Sequence, residues 1–266
     1  MTEEQLLIAE QKPSQSVMTE ALRLAGRIIM ENGGETYRVE ETITRMGRAF
    51  GLESVESFAV PSGLFFSFRR PDGETETAVT RIHRGATNLQ WVNEVNTISR
   101  QVEARELDAG QALARLRAVE QMREPREDVL LPVAAAVCGA GFAMMFGGGV
   151  PEMLLAALAS ALSQMLSMFL ARRRMQAMVG TLLGSLITAL VPTLAAQFFP
   201  LMLDATVGGA LMPLLPGLAM TNAVQDAMRG DLLSGLCHGI SAILTAGLIA
   251  CGTLMASGLV HLGGAL

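Results

Sequence analysis

A proline-containing break interrupts one of the apolar stretches of this chain and is followed at once by polar residues. The stretch LMPLLPGLAMTNAVQDAMRGD, residues 211–231, contains Pro213, Pro216 and Gly217 ahead of its polar end. Each proline removes a backbone donor, so carbonyl groups about one turn earlier lose their partners. Such broken backbone is tolerated in a bilayer only where it is buried in protein or lines a wet cavity, and transporters use it to build binding sites.

The side chains after the break are of types that bind small charged metabolites. They are Thr221, Asn222, Gln225, Asp226 and Arg229. The first four lie at i, i+1, i+4 and i+5, which predicts hydroxyl, amide and carboxylate groups on one helical face. With the three residues of the break they form a predicted site for a small zwitterion or anion, in which Asp226 carries a coupling proton or orients a substrate ammonium group. The alternative is a proline-kinked span that ends in an ordinary helix cap, with Asp226 and Arg229 paired at the surface.

Polar residues in three other apolar segments recur at helical spacing, so they form one stripe on each predicted helix. The stripes are Ser160, Ser163, Gln164 and Ser167; Thr181, Ser185 and Thr188; and Ser234, His238, Ser241 and Thr245. Small and hydroxyl-bearing residues first of all allow helices to pack closely in lipid. The alternative is a polar pathway between helices, with Gln164, Ser185, His238 and Ser241 as its candidates. His238 is the member of this set that can also carry a proton.

Charged residues are concentrated in the first half of the chain. Of the 20 Lys and Arg, 16 precede residue 129, and so do 21 of the 25 Asp and Glu, although 50% of all residues are hydrophobic. The sequence therefore divides near residue 128 into a polar part and an apolar part. No basic stripe interleaved with aromatic residues is present, so nucleic acid is not an expected partner. Cys138, Cys237 and Cys251 lie in apolar segments, and we predict neither disulfides, nor a metal site, nor another cofactor.

Five apolar segments after residue 128 predict about five transmembrane helices. They are 129–145, 153–171, 177–198, 206–220 and 232–260. Arg172, Arg173 and Arg174 join the second and third segments and Arg229 joins the fourth and fifth, whereas the loops of the other side have no Lys or Arg. The positive-inside rule then predicts a multi-pass protein of the cytoplasmic (inner) membrane with its N-terminus inside and its C-terminus outside.

The polar part predicts an α+β domain with the element order ααβββαα, ahead of the all-α membrane domain. Apolar spacing indicates helices at 16–29 and 36–50, and three short runs, SVESFAV, GLFFSFRR and ETAVTRI, indicate an antiparallel meander. Two helices follow between 89 and 122. The predicted organisation is a flexible N-terminus at 1–15, a cytoplasmic domain at 16–122, a linker at 123–128 and a membrane domain at 129–266. The acidic N-terminus is unlike a signal peptide, so we expect the polar part to stay in the cytoplasm.

Catalytic chemistry has little support in this domain. Its titratable candidates are Glu35, Glu40, Glu41 and His83, but the sequence has no GxSxG elbow, HExxH motif, P-loop or Cys/His pair. Charged residues on a solvated helix face are the better account of the glutamates. We therefore expect no enzyme, with a membrane-anchored hydrolase or an accessory scaffold as the alternatives of another class.

Three ordered motifs carry a resemblance to a known family. They are GGETYRVEETITRMGRAFGL at 33–52, TRIHRGATNLQWVNEVNTISRQ at 80–101 and LLPGLAMTNAVQDAMRGDLLSGL at 214–236. In these motifs and in its layout the chain resembles the threonine/serine exporter family in its short, two-component form. The resemblance implies a secondary exporter of small polar metabolites, threonine and serine first of all, with a dicarboxylate such as succinate as the alternative.

The resemblance also implies functional residues and partners. The motif it adds in the cytoplasmic domain consists of Gly33, Gly34, Glu35, Thr36, Tyr37 and Glu40. Long members of the family carry a second membrane domain after the third motif, which this sequence lacks. We therefore expect a separately encoded small membrane subunit as partner, within a complex that can be a higher oligomer, besides membrane lipid and the metabolite itself.

Overall fold

The computed structural model of the chain describes residues 3–69, 73–83, 87–122 and 127–263. These residues form two compact units. The first unit consists of the chain up to residue 122 together with Met220–Gly239, and the second consists of the described residues of 124–219 and 240–266. The polar unit is thus completed by a segment that follows most of the apolar sequence.

Four helices and three strands make up the N-terminal part of the first unit. The elements are α1 (Glu3–Glu31), α2 (Thr36–Ala49), β1 (Glu53–Val60), β2 (Gly63–Arg69), β3 (Thr75–Arg81), α3 (Leu89–Glu103) and α4 (Ala109–Gln121). The three-stranded sheet expected from the sequence is present, with strand order β1-β2-β3 and both pairs antiparallel. The turn between β2 and β3 lies partly outside the described residues, at 70–72.

The core of this part follows from the sequence periods. Leu64, Phe66 and Phe68 alternate along β2, so all three side chains point to one face of the sheet and are at most 2% exposed. On α2, Val39, Ile43 and Met46 recur at i, i+4 and i+7, and none of them is exposed. The same cluster takes in the apolar faces of α1, α3 and α4.

Two segment boundaries, one at the N-terminus and one at the predicted linker, differ from the sequence expectation. The first helix begins at Glu3 instead of near residue 16, so most of the segment 1–15 that was expected to be flexible is helical. The sequence carries a signal for this start, because Thr2 with Gln5 three residues later fits a capping box and 3–10 consists mostly of good helix formers. Of the predicted linker at 123–128, residues 123–126 lie outside the described residues, and Glu127 is already the first residue of α5.

Apolar helices make up the rest of the chain. They are α5 (Glu127–Met145), α6 (Val150–Arg172), α7 (Ala177–Ala195), α8 (Leu203–Leu211), α9 (Gly217–Met228) and α10 (Leu232–Gly263). Three described stretches are long and apolar enough to cross a membrane: Val150–Arg172, Ala177–Ala195 and Leu232–Val260. A fourth span exists if α8 and α9 form one bent span, and the first predicted span, Val129–Met145, is a shorter apolar helix. The predicted count of five is therefore not confirmed, and the structure supports three or four.

Small residues bring the helices of the second unit close together. A Cβ atom on Gly209 of α8 would lie 2.4 Å from the backbone nitrogen of Ala143 on α5, and one on Gly252 of α10 would lie 2.0 Å from Ser185 Oγ on α7. Ser160 Oγ of α6 donates to the carbonyl oxygen of Ala210 at 3.1 Å. Close backbone approach with hydroxyl-to-carbonyl bonds is the packing mode of helices in lipid.

Candidate functional site

The predicted break in the fourth apolar segment is a sharp bend. Met212–Leu214 form a single 3-10 turn that contains Pro213, and α9 begins at Gly217, directly after Pro216. The helical stretches on the two sides, Leu203–Leu214 and Gly217–Met228, meet at 62°. Pro216 has no N–H to continue the helix, and the Gly217 N–H donates instead to Leu215 O at 2.8 Å. The bend separates the apolar helix α8 from the polar helix α9.

The polar residues of α9 lie on two faces, not on the single face that the sequence predicted. Asn222 and Asp226, four residues apart, are buried at 6% and 0% exposure. Thr221 and Arg229 are exposed and Gln225 is half-buried, and all three line an open groove of about 800 Å³. Successive helical residues point about 100° apart, so i and i+1 cannot share a narrow face. The groove also contains the side chains of Met220, Val224 and Met228.

Asp226 is held by side chains from two other helices. Thr36 Oγ1, on α2, donates to Asp226 Oδ1 at 3.1 Å, and His238 Nδ1, on α10, lies 3.2 Å from Asp226 Oδ2. The side chain of His238 is 1% exposed and that of Asp226 is 0% exposed. Because a buried ionised group is costly unless it is paired and hydrogen-bonded, the carboxylate and the imidazole depend on each other.

The turn before α2 brings Thr36 to this carboxylate. Gly33 has φ +84° and a Cβ there would lie 2.9 Å from Thr87, while Gly34 N donates to Ile29 O at 2.9 Å and closes α1. Glu35 is the N-cap residue of α2 and its carboxylate lies 2.6 Å from Arg38 Nε. Thr36 is then the first residue of the helix, so Asp226 lies at the end of α2 where unpaired N–H groups favour a negative charge.

The alternative interpretation of the sequence paired Arg229 with Asp226, but the structure places the Arg229 side chain elsewhere. Its guanidinium lies 3.5 Å from the centroid of the Tyr37 ring, a cation–π contact between the end of α9 and the first turn of α2. Ser234 Oγ, at the start of α10, donates to Ala59 O of β1 at 3.3 Å. The segment 220–239 thus contacts the N-terminal part of the first unit at three places. We call these contacts the latch: those of the Asp226 carboxylate, the Arg229 guanidinium and the Ser234 hydroxyl.

Glu40 departs from the solvated helix face that the sequence predicted for the glutamates. Its carboxylate accepts the backbone N–H of Ala59 at 2.9 Å and its side chain is half-buried. Burial raises the pKa of Glu40 above 4.5, the Ala59 N–H opposes this, and the negative charges of Asp231 and Asp226 raise the pKa further. By contrast, Glu41 is exposed and ion-paired with Arg45, as expected for a surface residue.

The candidate pathway residues fall into different units. His238 belongs to the first unit, while Gln164, Ser185 and Ser241 belong to the second. Ser185 is fully buried and donates to Leu182 O at 2.9 Å, which is a packing role. Gln164 is half-buried and Ser241 is exposed. The structure therefore gives a specific polar environment to His238 alone among the four.

Comparison with known proteins agrees with this arrangement of motifs. A family model described as "Putative threonine/serine exporter" matches residues 20–260. The chain belongs to the threonine/serine exporter family. The "Probable succinate transporter subunit YjjP" of Escherichia coli (strain K12) is 27% identical over 238 residues, which cover 88% of this chain and 92% of that protein. The protein of the same name from Klebsiella aerogenes is 26% identical over 237 residues, 88% of this chain and 91% of the relative. No solved structure matches the chain.

All three motifs that point to the exporter family meet in the first unit. The first motif supplies Thr36 and Tyr37, and the third supplies Asp226 and Arg229. The second motif supports the turn before α2, because the Asn88 N–H donates to Asn32 O at 3.2 Å. The sequence predicted most of these residues but not their partners, since the contacts join positions 190 residues apart (Thr36 and Asp226) and 229 − 37 = 192 residues apart (Tyr37 and Arg229).

Proposed function

We propose that this chain is the larger subunit of a two-component exporter that moves a small carboxylate metabolite out of the cell across the cytoplasmic membrane. The observation that carries the proposal is the buried pair of Asp226 and His238, with Asp226 on the helix that follows the sharp bend at Pro216. A passive anchor or scaffold has no use for an ionisable pair whose burial is costly. Membership in an exporter family and relatives named as transporter subunits support the same function.

The groove beside α9 favours an anion over a zwitterion as the exported substrate. Its described lining contains the Arg229 guanidinium, the Thr221 hydroxyl and the Gln225 amide, but no carboxylate. Arginine binds carboxylates through charge-assisted, often bidentate hydrogen bonds. Asp226 points away from this groove to Thr36 and His238, so it is poorly placed to receive a substrate ammonium group. A dicarboxylate such as succinate, named in the relatives, is our first candidate, and threonine or serine, named in the family description, is the second.

Proton coupling follows from the burial of the pair. When Asp226 and His238 together hold one titratable proton, the pair is neutral overall. It is then either a carboxylate beside an imidazolium or a carboxylic acid beside a neutral imidazole. Adding or removing one proton leaves an unbalanced charge in a buried site, at a cost of about 3–5 kcal/mol. A state that exposes the pair to water avoids this cost. Proton uptake and release would therefore alternate with opening of the latch, and proton entry would drive export.

The orientation of the protein is proposed from its arginines. Arg229 packs on Tyr37 within the first unit, so the 229–231 loop belongs to the polar unit. The positive-inside rule then assigns Arg229 and, independently, Arg172, Arg173 and Arg174 to the cytoplasmic side. A reporter enzyme that is active only outside the membrane should be silent when fused after Glu127 and active when fused after Leu266. The opposite pattern would show that the arginine argument is wrong.

The export function is tested in a strain that lacks both this chain and its small membrane partner. Succinate release is measured directly, and threonine and serine release are measured after dipeptide feeding, with this chain, the partner or both restored. We expect release of succinate to recover only when both are present. Full recovery with the partner alone would make this chain an accessory scaffold, and no difference for any of the three metabolites would refute the exporter assignment.

A further inference from the structure

An apolar row crosses the outer face of the three-stranded sheet. Phe58 of β1 pairs with Phe65 of β2, and Phe65 pairs with Val79 of β3, so the three side chains point to the same face. The two ring centroids are 6.3 Å apart, and the exposed fractions of the three residues are 47%, 41% and 65%. We call Phe58, Phe65 and Val79 the sheet row. The other face of the sheet is buried in the core.

The sheet row concentrates exposed apolar surface in one place. Up to residue 122, where the structure describes side chains, five large apolar residues are exposed, and three of them form the sheet row. The other two, Leu89 and Met122, lie at the start of α3 and after the end of α4. Scattered single apolar residues are normal on a protein surface, whereas a contiguous patch marks an interaction site. The latch and the described lining of the α9 groove do not include the sheet row.

The strand register also defines what surrounds the sheet row. The adjacent row on one side consists of Val60, Gly63 and Arg81, and the adjacent row on the other side consists of Glu56, Ser67 and Thr77. The Phe65 ring lies close to Gly63, since a Cβ atom there would be 3.3 Å from Phe65 Cε2. The apolar surface thus extends toward Val60 and has the Arg81 side chain at its border. Apolar and aromatic side chains bordered by an arginine suit a boundary between hydrocarbon and water.

A hydrogen bond places β1 at the depth where a membrane span begins. Ser234 Oγ donates to Ala59 O at 3.3 Å, and both residues belong to the first unit. Ser234 is the third residue of Leu232–Val260, a stretch long and apolar enough to cross a membrane. At a rise of 1.5 Å per residue, it lies only about 3 Å beyond the first residue of that stretch. Phe58 and Val60 flank Ala59 and are each about 3.3 Å from it along the strand.

We propose that the sheet row docks on the lipid surface of the membrane that α10 enters, with its side chains among the headgroups and the upper acyl chains. Aromatic residues are enriched at this level of the bilayer. A protein partner is the other possible occupant of an apolar patch. The position of β1 favours lipid, because the bilayer surface begins at the depth where Ser234 holds the strand.

The charges around the sheet row indicate the kind of lipid surface. Arg81 in one adjacent row and Glu56 in the other carry opposite charges, so they give the patch no net attraction to anionic headgroups. Burial of the apolar side chains is then the main contribution to docking, and we expect a neutral phosphatidylcholine surface to be sufficient. The inference does not depend on the export function, because it requires only that α10 spans the bilayer.

The test places a tryptophan in the sheet row of the full-length chain, which is reconstituted into phosphatidylcholine liposomes with or without bromine on the acyl chains. Trp91→Phe first removes the single native tryptophan. Phe65→Trp or Val79→Trp is then added, and bromine should reduce the emission of each about twofold, because the indole ring lies at the acyl boundary. Leu254→Trp, at an exposed position within the span, is the positive control for quenching.

Matched variants assign the quenching to the sheet row. Thr75→Trp lies on the same face of β3, about 13 Å from Val79, and should be quenched little. Because tryptophan itself favours the interface, a second comparison keeps Val79→Trp as the reporter and changes a neighbour. Phe58→Ser should reduce the quenching of this reporter, whereas Ser67→Ala, in the adjacent polar row, should leave it unchanged.

Three results would overturn the proposal. The first is emission from both row positions that bromine does not reduce while Leu254→Trp is quenched. The second is quenching at Thr75→Trp equal to that at Val79→Trp, because the sheet row would then have no contact of its own. The third is a change at the row positions that appears only after the small membrane subunit is added, which would make the sheet row a protein interface.

Discussion

Replacement of Asp226 by asparagine tests the role of the buried pair in transport. Asparagine keeps the shape of the side chain and can still accept the hydrogen bond of Thr36, so we expect the free energy of unfolding to fall by only about 1–3 kcal/mol. The charge is lost, however. A proton on His238 would then be an unpaired buried cation, and the imidazole stays neutral.

The expected loss of transport follows from the same energies. In the wild type, a one-proton change biases the closed and open states by about 3–5 kcal/mol. Because each 1.4 kcal/mol corresponds to a factor of ten, this bias is about two to three and a half orders of magnitude in population. Asp226→Asn leaves the imidazole neutral and removes the charged carboxylate, so the pair no longer changes its protonation state during transport. We expect efflux at equal membrane abundance to fall about a hundredfold.

The assay compares efflux per molecule, with the small subunit co-expressed and membrane abundance measured by immunoblot. Asp231→Asn is the matched control, because Asp231 is the next carboxylate along the chain, lies at the start of α10 and is only half-buried. It should retain most of the efflux. Wild-type efflux per molecule in Asp226→Asn would refute the coupling role and leave the pair a purely structural one.

Two further predictions concern stability. Because the pKa of Glu40 is raised in the fold, the folded state holds this proton more tightly than the unfolded state, and the free energy of unfolding falls as pH rises above about 4.5. Glu40→Gln can still accept the Ala59 N–H, so its melting temperature should match the wild type at acid pH and exceed it at neutral pH; an equal difference at both pH values would contradict this. Gly252→Val should destabilise the detergent-purified protein by about 1–3 kcal/mol through overpacking against Ser185. Gly247→Val, on the same helix with nothing within 4 Å of its Cβ, should melt clearly higher than Gly252→Val.

Local patterns in the sequence predicted the elements well. The period-two pattern of β2 and the i, i+4, i+7 pattern of α2 each leave one apolar face, and burial of that face follows directly. The break at Pro216 was also predictable, because proline lacks the N–H that a helix needs. The membrane count was less certain, since hydropathy alone does not tell a short buried helix such as Val129–Met145 from a full span.

The candidate site was predicted only in part. The sequence singled out Asp226, His238 and Thr36 separately, but the hydrogen bond and the ion-pair contact that join them depend on tertiary packing. Helical spacing also placed Thr221 and Asn222 on one face, whereas the neighbours of α9 bury only the second.

The composition of the first unit from two distant stretches has a consequence for biosynthesis. Residues up to 122 leave the ribosome before 220–239 is made, and at 5–20 residues per second the delay for the roughly 100 residues between them is about 5–20 s. During that time the Thr36 hydroxyl and the Ala59 carbonyl lack Asp226 and Ser234, their partners in the finished unit. The cell can therefore finish this domain only after the intervening apolar helices have been synthesised, so a completed polar unit shows that translation has passed α5 to α8.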